Sequence, residues 1–426
     1  MAKQRDMIYY AAAGPERELT RDDIREALKN ALGTFSQRRK ILIIPPDITR
    51  AHSGAGMITE LLWQQLDKKV KDILPALGTH MPMEGSEISR MFGTVPHSLF
   101  REHRWRTDIE ELGRVPAAFV SEVTGGKLDF DYPVQVNRLL SSGGHDLIIS
   151  VGQVVPHEVT GMANYNKNIF VGCGGSEAIN KSHFMGAVHG IENILGTVDN
   201  PVRAVLNKAS DIAKGRLPLL YLLTVVSPDH KGELKIRGLF AGDDVECFRQ
   251  AASLSGKVNF TTLPERLKKV VVWLDPGEFK STWLGNKSIY RTRMAIADGG
   301  ELVVLAPGVR TFGEDPSIDT LIRKYGYRTT PEIMKFVEEN DDLKENLSAA
   351  AHLIHGSHEN RFSVTYAAGH LTREEVESVG YSFGDINALI KRYEPRGRMT
   401  GFHSAPDGEE YYFISNPATG LWKAAR

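Results

Sequence analysis

Three polar stretches of the chain carry side chains suited to acid–base chemistry, anion binding or metal binding. In the first, PPDITRAHSG, the residues Asp47, Thr49 and Arg50 directly follow the apolar run ILII. An arginine can grip a carboxylate or phosphate through two parallel hydrogen bonds, and Asp47 could hold its guanidinium in place. A turn with an ordinary surface ion pair has the same composition, so this stretch alone leaves both interpretations open.

The second stretch, GTHMPM, places His80 after another apolar segment. Histidine titrates near neutral pH and can act as an acid, a base or a metal ligand. A lone histidine is more often a packed or solvated residue, and His52, His97 and His103 lie in still weaker contexts. His80 is therefore a candidate that needs support from the rest of the chain.

The third stretch, residues 151–184, is the richest in such side chains. His157 follows a proline, Lys167 comes ten residues later, and His183 follows sixteen residues after the lysine. A neutral imidazole is a common ligand of nickel, copper, zinc and iron. The alternative is that the histidines and the lysine only happen to flank a tight turn.

A glycine-rich turn lies within this third stretch and precedes a predicted helix. Its residues are Gly172, Gly174, Gly175 and Ser176. Glycine lets the backbone approach a phosphate closely, and the amides at a helix start can bind it. The turn matches neither the Walker nor the dinucleotide fingerprint, so by itself it is weak evidence for a nucleotide.

Strand-like and helix-like segments alternate along the chain and must position these stretches. Strands are predicted at 41–44, 146–152 and 217–226, strands that run into loops at 72–80, 301–308 and 361–369, and helices at 57–70 and 243–256 and from Thr20 onward. This alternation indicates an α/β fold with mostly parallel sheets, in which ligands bind beyond the carboxyl ends of the strands. We predict two α/β domains, 1–256 and 257–426, with the active site in the cleft between them.

Composition excludes several classes of protein. The 426 residues have a formal net charge of -1, which gives no basic surplus for binding nucleic acid. The two cysteines, Cys173 and Cys247, are too few for a disulfide framework or a cysteine-based zinc site. The start, MAKQRDMIYYAAAG, lacks a signal-peptide run, and no stretch is apolar enough to cross a membrane. We expect a cytoplasmic protein.

Taken in order, the candidate residues resemble the pattern of the lactate racemase family. That pattern is Asp-x-x-Arg, Gly-Thr-His, Pro-His, a lysine ten residues later, and a histidine sixteen residues after the lysine. The matching residues are Asp47, Arg50, His80, His157, Lys167 and His183. The resemblance is strongest over residues 40–190 and continues more loosely beyond. It implies a lactate racemase-like fold and an isomerase that racemises or epimerises hydroxy acids.

The resemblance also implies a cofactor, the nickel-pincer nucleotide. This is a Ni(II) pyridinium-3,5-bisthiocarboxylic acid mononucleotide, covalently tethered here through Lys167. His183 would supply a nickel ligand. Further cofactor contacts are expected from Thr49, Gly174, Gly175 and Ser176. Separate enzymes that make the cofactor would be needed to load the protein.

The family mechanism assigns roles to the remaining residues. His80 and His157 would act as acid and base, while Arg50 and Asp47 would bind the substrate carboxylate. By this resemblance, one histidine would take the hydroxyl proton while the cofactor accepts hydride from C2 of the 2-hydroxy acid, which gives a planar keto acid, and the hydride would return to the opposite face. Histidine suits both directions because its ordinary pKa is about 6.5.

The second half of the chain departs from the family pattern. Arg291 stands where the family has a glutamine, and Met294 where it has a lysine. No convincing match to the family's substrate-side tryptophan is found; Arg361 and Phe362 lie in that region. Arg291 and Arg310 therefore predict a polar substrate wall, unless they are solvated surface groups. A sugar acid such as gluconate or mannonate would suit such a wall.

Other functions remain open at this point. Lactate itself could be the substrate. The chain could instead bind a sugar acid or the cofactor without catalysis, although a binding protein needs no acid–base pair. A histidine-based zinc hydrolase lacks a clear third ligand. The expected partner is a small 2-hydroxy acid, with neither nucleic acid nor membrane, and the sequence leaves the oligomeric state open.

Overall fold

The computed structural model describes residues 8–78 and 80–425, which form two compact units. One unit contains the described residues up to Met185 together with Asn193–Asn259. The other contains Gly186–Glu192 and the residues from Phe260 onward. Thr79 of the GTH stretch and the first seven residues lie outside the described residues. The boundary predicted after residue 256 falls inside a helix that ends at Val258.

A six-stranded sheet forms the centre of the first unit. Its strands and those of two small hairpins are β1 (Ile8–Ala13), β2 (Ile41–Ile44), β3 (Val70–Ile73), β4 (Ile109–Val115), β5 (Tyr132–Asn137), β6 (Leu147–Gln153), β7 (Pro156–His157), β8 (Gly161–Met162), β9 (Leu219–Pro228) and β10 (Leu234–Gly242). The sheet order is β1-β10-β9-β6-β2-β3. Strands β9, β6, β2 and β3 are parallel to one another. Strand β10 pairs antiparallel with β9, and β1 pairs antiparallel with β10. Strand β2 has no exposed residue, as its apolar run predicts.

Helices α1 to α10 belong to this half of the chain, and α7 and α8 include residues of both units. They are α1 (Arg21–Leu32), α2 (Ala55–Leu66), α3 (Gly85–Phe92), α4 (Ala117–Thr124), α5 (Arg138–Ser141), α6 (Asn166–Phe170), α7 (Ser176–His189), α8 (Ile191–Ile194), α9 (Pro201–Ala213) and α10 (Val245–Val258). The capping box predicted at Thr20 is present, because its hydroxyl accepts from the Asp23 amide while the Asp23 carboxylate accepts from the Thr20 amide.

One predicted boundary near β3 is wrong. Helix α2 ends at Leu66 rather than at residue 70, because Asp67 adopts a φ of 48° and Val70 already pairs with Ile41. Strand β3 ends at Ile73 and is followed by a loop, in line with the prediction for 72–80. The chain beyond it still follows β2, since the Leu74 amide donates to the Ile43 carbonyl at 2.9 Å and the Ala76 amide donates to the Pro45 carbonyl at 2.8 Å.

The second unit is built on another six-stranded sheet. Its strands are β11 (Phe260–Leu263), β12 (Leu267–Trp273), β13 (Ile296–Ala306), β14 (Ser363–Ala368), β15 (Ser382–Phe383), β16 (Gly401–Ser404), β17 (Glu410–Ile414) and β18 (Leu421–Ala424). The sheet order is β15-β14-β13-β12-β17-β16, parallel except for β16. Strands β11 and β18 form a separate parallel pair.

The helices of the second unit cover the connections between these strands. They are α11 (Thr282–Gly285), α12 (Lys287–Tyr290), α13 (Pro316–Tyr325), α14 (Thr330–Glu339), α15 (Asp341–Lys344), α16 (Leu347–Gly356), α17 (Arg373–Ser378) and α18 (Ile386–Tyr393). The prediction of an α/β fold with mostly parallel sheets is confirmed in both units. No helix in the described ranges is long and apolar enough to cross a membrane.

His103 anchors the loop that precedes β4 rather than facing solvent. It is 2% exposed; its Nε2 donates to the Gly174 carbonyl at 3.1 Å, and its Nδ1 accepts from the Asn137 side chain at 3.1 Å. Burial lowers the pKa of His103 to about 4, against the smaller opposing effects of the Gly174 bond and the Asp108 charge. The imidazole therefore stays neutral and structural at neutral pH.

This anchoring predicts a pH dependence of stability. The unfolded chain binds a proton at His103 near pH 6.5 and the folded chain only near 4, so the free energy of unfolding should fall as pH drops through that window. The loss should be on the order of 3 kcal/mol. Urea unfolding of His103→Gln should show a weaker fall over the same window. His230→Gln, in an exposed turn, is the control; equal pH dependence in His103→Gln and the parent would contradict the assignment.

Candidate active site

The first polar stretch turns directly at the carboxyl end of β2. Asp47 precedes a 3-10 helix, Ile48–Ser53, and is 3% exposed. The Thr49 hydroxyl donates to Asp47 Oδ1 at 2.6 Å. Arg50 has a non-helical backbone, with φ of -116° and ψ of 26°, and its amide donates to the Asp47 carbonyl at 3.0 Å. Arg50 is partly exposed, so its guanidinium is available to an anion.

His80 lies beyond the next strand and meets Asp47. Its Nδ1 is 2.6 Å from Asp47 Oδ2. An ionised carboxylate only accepts hydrogen bonds, so Nδ1 carries the proton and the neutral ring has its lone pair on Nε2. The His80 side chain is 36% exposed, which leaves that nitrogen accessible.

The carboxylate of Asp47 stays ionised despite its burial. Burial acts to raise the pKa of Asp47, but the charge and hydrogen bond of His80 lower it, helped by the Thr49 hydroxyl and the charge of Arg50. The net effect is a pKa below the usual range. The ionised carboxylate of Asp47 provides a fixed negative charge behind His80.

His157 occupies the two-residue strand β7 after β6 and is 4% exposed. Its Nδ1 accepts a hydrogen bond from the Val159 amide at 3.1 Å. The neutral ring must therefore carry its proton on Nε2, the opposite tautomer to that of His80. That nitrogen is 3.9 Å from Glu158 Oε1.

Lys167 is the second residue of α6, and protein surrounds its amine although the residue is partly exposed. Burial, followed by the charge of Arg50, lowers the pKa of Lys167 to about 8, against the opposing charges of Glu158 and Asp47. Roughly a tenth of the amine is thus neutral and nucleophilic at pH 7, far more than for an ordinary lysine. Because the charges of Arg50 and Asp47 shift its pKa, the amine lies within electrostatic reach of the first polar stretch.

His183 lies on α7 and presents one nitrogen as a possible ligand. Its Nδ1 donates to the Ile179 carbonyl at 2.7 Å, which leaves the lone pair on Nε2. Burial lowers the pKa of His183 to about 4, with smaller contributions from the charges of Lys167 and His80. The imidazole is therefore neutral, the form in which histidine binds metals.

The glycine-rich turn is crowded by the protein itself. A Cβ on Gly172 would lie 2.6 Å from the Asn168 carbonyl oxygen, one on Gly174 would lie 2.2 Å from that of Phe170, and one on Gly175 would lie 2.4 Å from the Gln135 side chain. The absence of side chains is thus needed for the turn to pack. Contact of Gly174, Gly175 and the partly exposed Ser176 with a phosphate stays a prediction.

The two predicted residues of the second unit have different environments. Arg291 is 0% exposed, and its Nη1 donates to the Gly420 carbonyl at 3.4 Å. Arg310 is exposed in the loop after β13, four residues beyond the end of the strand, where its amide donates to the Lys280 carbonyl at 3.0 Å. Their contact with a substrate stays a prediction, and Arg310 is the one open to solvent.

Glu158 and Arg203 were not among the predicted site residues, although the charges of both act on Lys167. Glu158 directly follows His157, a candidate acid–base residue, and this position in the sequence could have identified Glu158 as part of the site. Arg203 lies on α9, where Arg203, Asn207 and Ser210 recur at the spacing of one helix face. A polar stripe at that spacing within a largely buried helix indicates a specific contact.

Among the described residues, no group of three or more histidine, cysteine, aspartate or glutamate side chains is placed to hold a metal ion. Nε2 of His183 remains a candidate donor atom for a metal.

Comparison with solved structures extends over nearly the whole chain. A crystal structure of a protein from Thermotoga maritima has a TM-score of 0.82 and 25% identity, covering 97% of this chain and 100% of that one. The lactate racemase apoprotein from Thermoanaerobacterium thermosaccharolyticum has a TM-score of 0.72 and 18% identity, covering 95% and 93%. At that identity the second match shows a shared fold.

Comparison of sequences points to the same fold family. A lactate racemase from Thermoanaerobacterium thermosaccharolyticum is 24% identical over 302 residues, which is 67% of this chain and 65% of that protein. Residues 3–194 match the family model of the lactate racemase N-terminal domain, and this range contains the residues from Asp47 to His183 discussed above. Over residues 3–194, the chain is therefore similar to the N-terminal domain of lactate racemases.

Proposed function

We propose that this chain is a racemase or epimerase that inverts C2 of a 2-hydroxy acid. The observation that carries the proposal is the grouping, within the first unit, of the Asp47–His80 pair with a reactive amine at Lys167 and a metal-binding imidazole at His183. The similarity of residues 3–194 to the lactate racemase N-terminal domain supports the same reaction class.

The two candidate acid–base histidines have complementary tautomers. Neutral His80 has a lone pair on Nε2 and can accept the proton of the substrate hydroxyl. Neutral His157 has its proton on Nε2 and can donate it. Inversion requires the hydroxyl proton to be removed and a proton to be returned, and two neutral histidines with these tautomers would meet that need.

Asp47 and Arg50 support these transfers. The Asp47 carboxylate holds the His80 ring in one orientation and stabilises the imidazolium that forms when Nε2 takes a proton. Arg50 can bind the substrate carboxylate through paired hydrogen bonds. Its position three residues after Asp47 would keep the bound acid close to the base.

The residues present fit the nickel-pincer nucleotide. Lys167 would tether it and His183 would bind its nickel, with further contacts from Thr49, Gly174, Gly175 and Ser176. His183 has the free nitrogen that a nickel ligand needs, and Lys167 has an amine that is partly neutral. When bound, this group would supply the acceptor and donor of hydride at C2.

We propose a polyhydroxy acid, such as gluconate or mannonate, as the substrate. The support comes from exposed Arg310 in the loop after β13 and from Thr311 beside it, whose hydroxyl donates to the Gly313 carbonyl at 3.0 Å. Polar groups of this kind can bond to substrate hydroxyls. Lactate is the alternative, because the curated relative is a lactate racemase.

The tether can be tested by intact-mass measurement. Protein produced together with the cofactor-making enzymes should carry a nickel-containing adduct, and Lys167→Ala should lack it because the amine is gone. Lys208→Ala, at an exposed position of α9, should keep the adduct. An adduct that persists on Lys167→Ala, or a parent protein with neither adduct nor nickel, would refute the assignment.

The acid–base pair can be tested by Asp47→Asn. Loss of the carboxylate should slow inversion by roughly 10²–10⁴-fold in the cofactor-loaded protein, the range for a lost acid–base contribution. The assay follows the stereoisomers by chromatography. Asp72→Asn is the matched control, because Asp72 bonds to His145 Nε2 at 2.9 Å away from the candidate residues. Parent-like turnover by Asp47→Asn would show that His80 does not depend on this carboxylate.

The substrate class can be tested with a panel of 2-hydroxy acids. Cofactor-loaded protein should interconvert gluconate and mannonate with a higher kcat/KM than it racemises lactate, because Arg310 and Thr311 favour a polar substrate. NMR of each incubation measures the products. Faster turnover of lactate would remove the sugar-acid assignment, and binding of the acids without any inversion would favour a non-catalytic protein.

A further inference from the structure

The backbone just before Lys167 is held in an uncommon conformation. Asn164 has a φ of 65° and Tyr165 a φ of 59°, and both residues are buried. Two successive residues with a Cβ in the left-handed region are disfavoured and persist only where the surroundings impose them. The Tyr165 amide donates to the Asn164 side chain at 2.7 Å. This bond joins adjacent residues, so it does not fix the segment relative to the rest of the protein.

Helix α9 supplies the contacts that impose this conformation. Arg203 is 2% exposed; its Nη2 donates to the Met162 carbonyl at 2.6 Å and its Nη1 to the Asn164 carbonyl at 3.4 Å. Nη1 also donates to the Asn166 side-chain oxygen. A guanidinium is planar and rigid, so it fixes the relative positions of three acceptors at once.

Two more residues on the same face of α9 complete the attachment. The Asn166 side-chain nitrogen donates to Asn207 Oδ1 at 2.8 Å and to Ser210 Oγ at 3.1 Å. Asn207 and Ser210 follow Arg203 at the spacing of one helix face. Asn166, the residue directly before Lys167, is therefore bonded to three consecutive positions of this face.

Aromatic rings enclose the buried guanidinium. The Phe248 ring lies 4.3 Å from the central carbon of Arg203, and Tyr165 stacks on Phe248 with ring centroids 5.2 Å apart. Within residues 8–78 and 80–425, none of the hydrogen-bond acceptors of Arg203 is a carboxylate. Its positive charge is thus only partly compensated and acts on Lys167.

We propose that Arg203 is a positioning residue for Lys167, because it clamps residues 162–166 against α9 and so presents the lysine amine to the active site. The inference rests on the proposed function for the role of Lys167. The clamp itself can be examined in protein without cofactor.

The pKa of the Lys167 amine depends on the groups around it, so it changes when the clamp is lost. The charged and titratable groups that act on it are Arg50, Glu158, Asp47, Arg203, His183 and Cys173. Loss of the clamp removes one positive charge and lets water reach the amine. Both effects favour the ammonium form, so the pKa of Lys167 should rise above its present value of about 8.

Competitive labelling with acetic anhydride measures this change in the cofactor-free full chain. Peptide mass spectrometry would follow acetylation of Lys167 from about pH 6 to about pH 10, with exposed lysines as internal standards. Arg203→Met should raise the labelling midpoint by about one unit or more, which lowers the labelling of Lys167 at pH 7 roughly tenfold. Arg249→Met is the control, since Arg249 is 50% exposed and paired with Asp199.

Two further variants distinguish the positioning role of Arg203 from the effect of its charge and from misfolding of the variant. Arg203→Lys keeps the charge but lacks the planar set of donors, and Asn166→Ala keeps Arg203 but removes one acceptor; both should raise the midpoint. If Arg203→Met does not fold, as judged by circular dichroism, these two variants decide. Parent-like midpoints in Arg203→Lys and Asn166→Ala would overturn the proposal. Labelling needs no cofactor, so a parent without a nickel adduct would refute the proposed function and leave this result standing.

Discussion

The hydrogen bond of 2.6 Å between His80 Nδ1 and Asp47 is the interaction on which the candidate site depends. It joins the loops that follow two neighbouring parallel strands, β2 and β3. Asp47 remains an anion in a buried position because an imidazole, a hydroxyl and a guanidinium together outweigh burial. In return, the carboxylate fixes the tautomer and the orientation of the ring. Without this bond, a side chain that is 36% exposed would have no defined direction.

Neutral forms of basic groups are the second feature of the site. Burial lowers the pKa of Lys167 to about 8 and that of His183 to about 4. A neutral amine is a nucleophile and a neutral imidazole is a ligand, so the same physical effect prepares both groups for their proposed partners. The charge of Asp47 opposes this shift in Lys167, whereas the charge of Arg50 adds to it. The first unit thus combines a buried carboxylate that stays ionised with an amine and an imidazole whose neutral forms are favoured by burial.

Much of the fold follows from local patterns in the sequence. The run ILII before two prolines predicts β2, and the capping box at Thr20 predicts the start of α1. The rule that the carboxyl ends of parallel strands share one edge predicts that the loops carrying Asp47 and His80 lie together, but the sequence suggested Arg50, not His80, as the partner of Asp47. Other features depend on tertiary packing. Asp67, with a φ of 48°, ends α2 at a point that the spacing of apolar residues does not mark, and the hairpin of β4 and β5 contains a register shift that hides its alternation.

Charged residues in the interior were the hardest to predict. Arg203 and Arg291 are almost fully buried, against the general preference of arginine for the surface. Arg203 bonds to backbone and side chains about forty residues earlier in the chain, and such a contact has no local pattern. Its spacing with Asn207 and Ser210 indicates a polar face on α9 but not what that face meets.

The crowding around Gly172, Gly174 and Gly175 affects how an alignment of relatives should be interpreted. Any larger residue there would collide with the backbone of the same turn or with Gln135. Natural selection would then retain glycine at these positions in every homologue that keeps the turn, with or without a nucleotide. Invariance of the three glycines would report steric necessity. Ser176, at the partly exposed edge, is the position whose variation among homologues would be informative about a ligand.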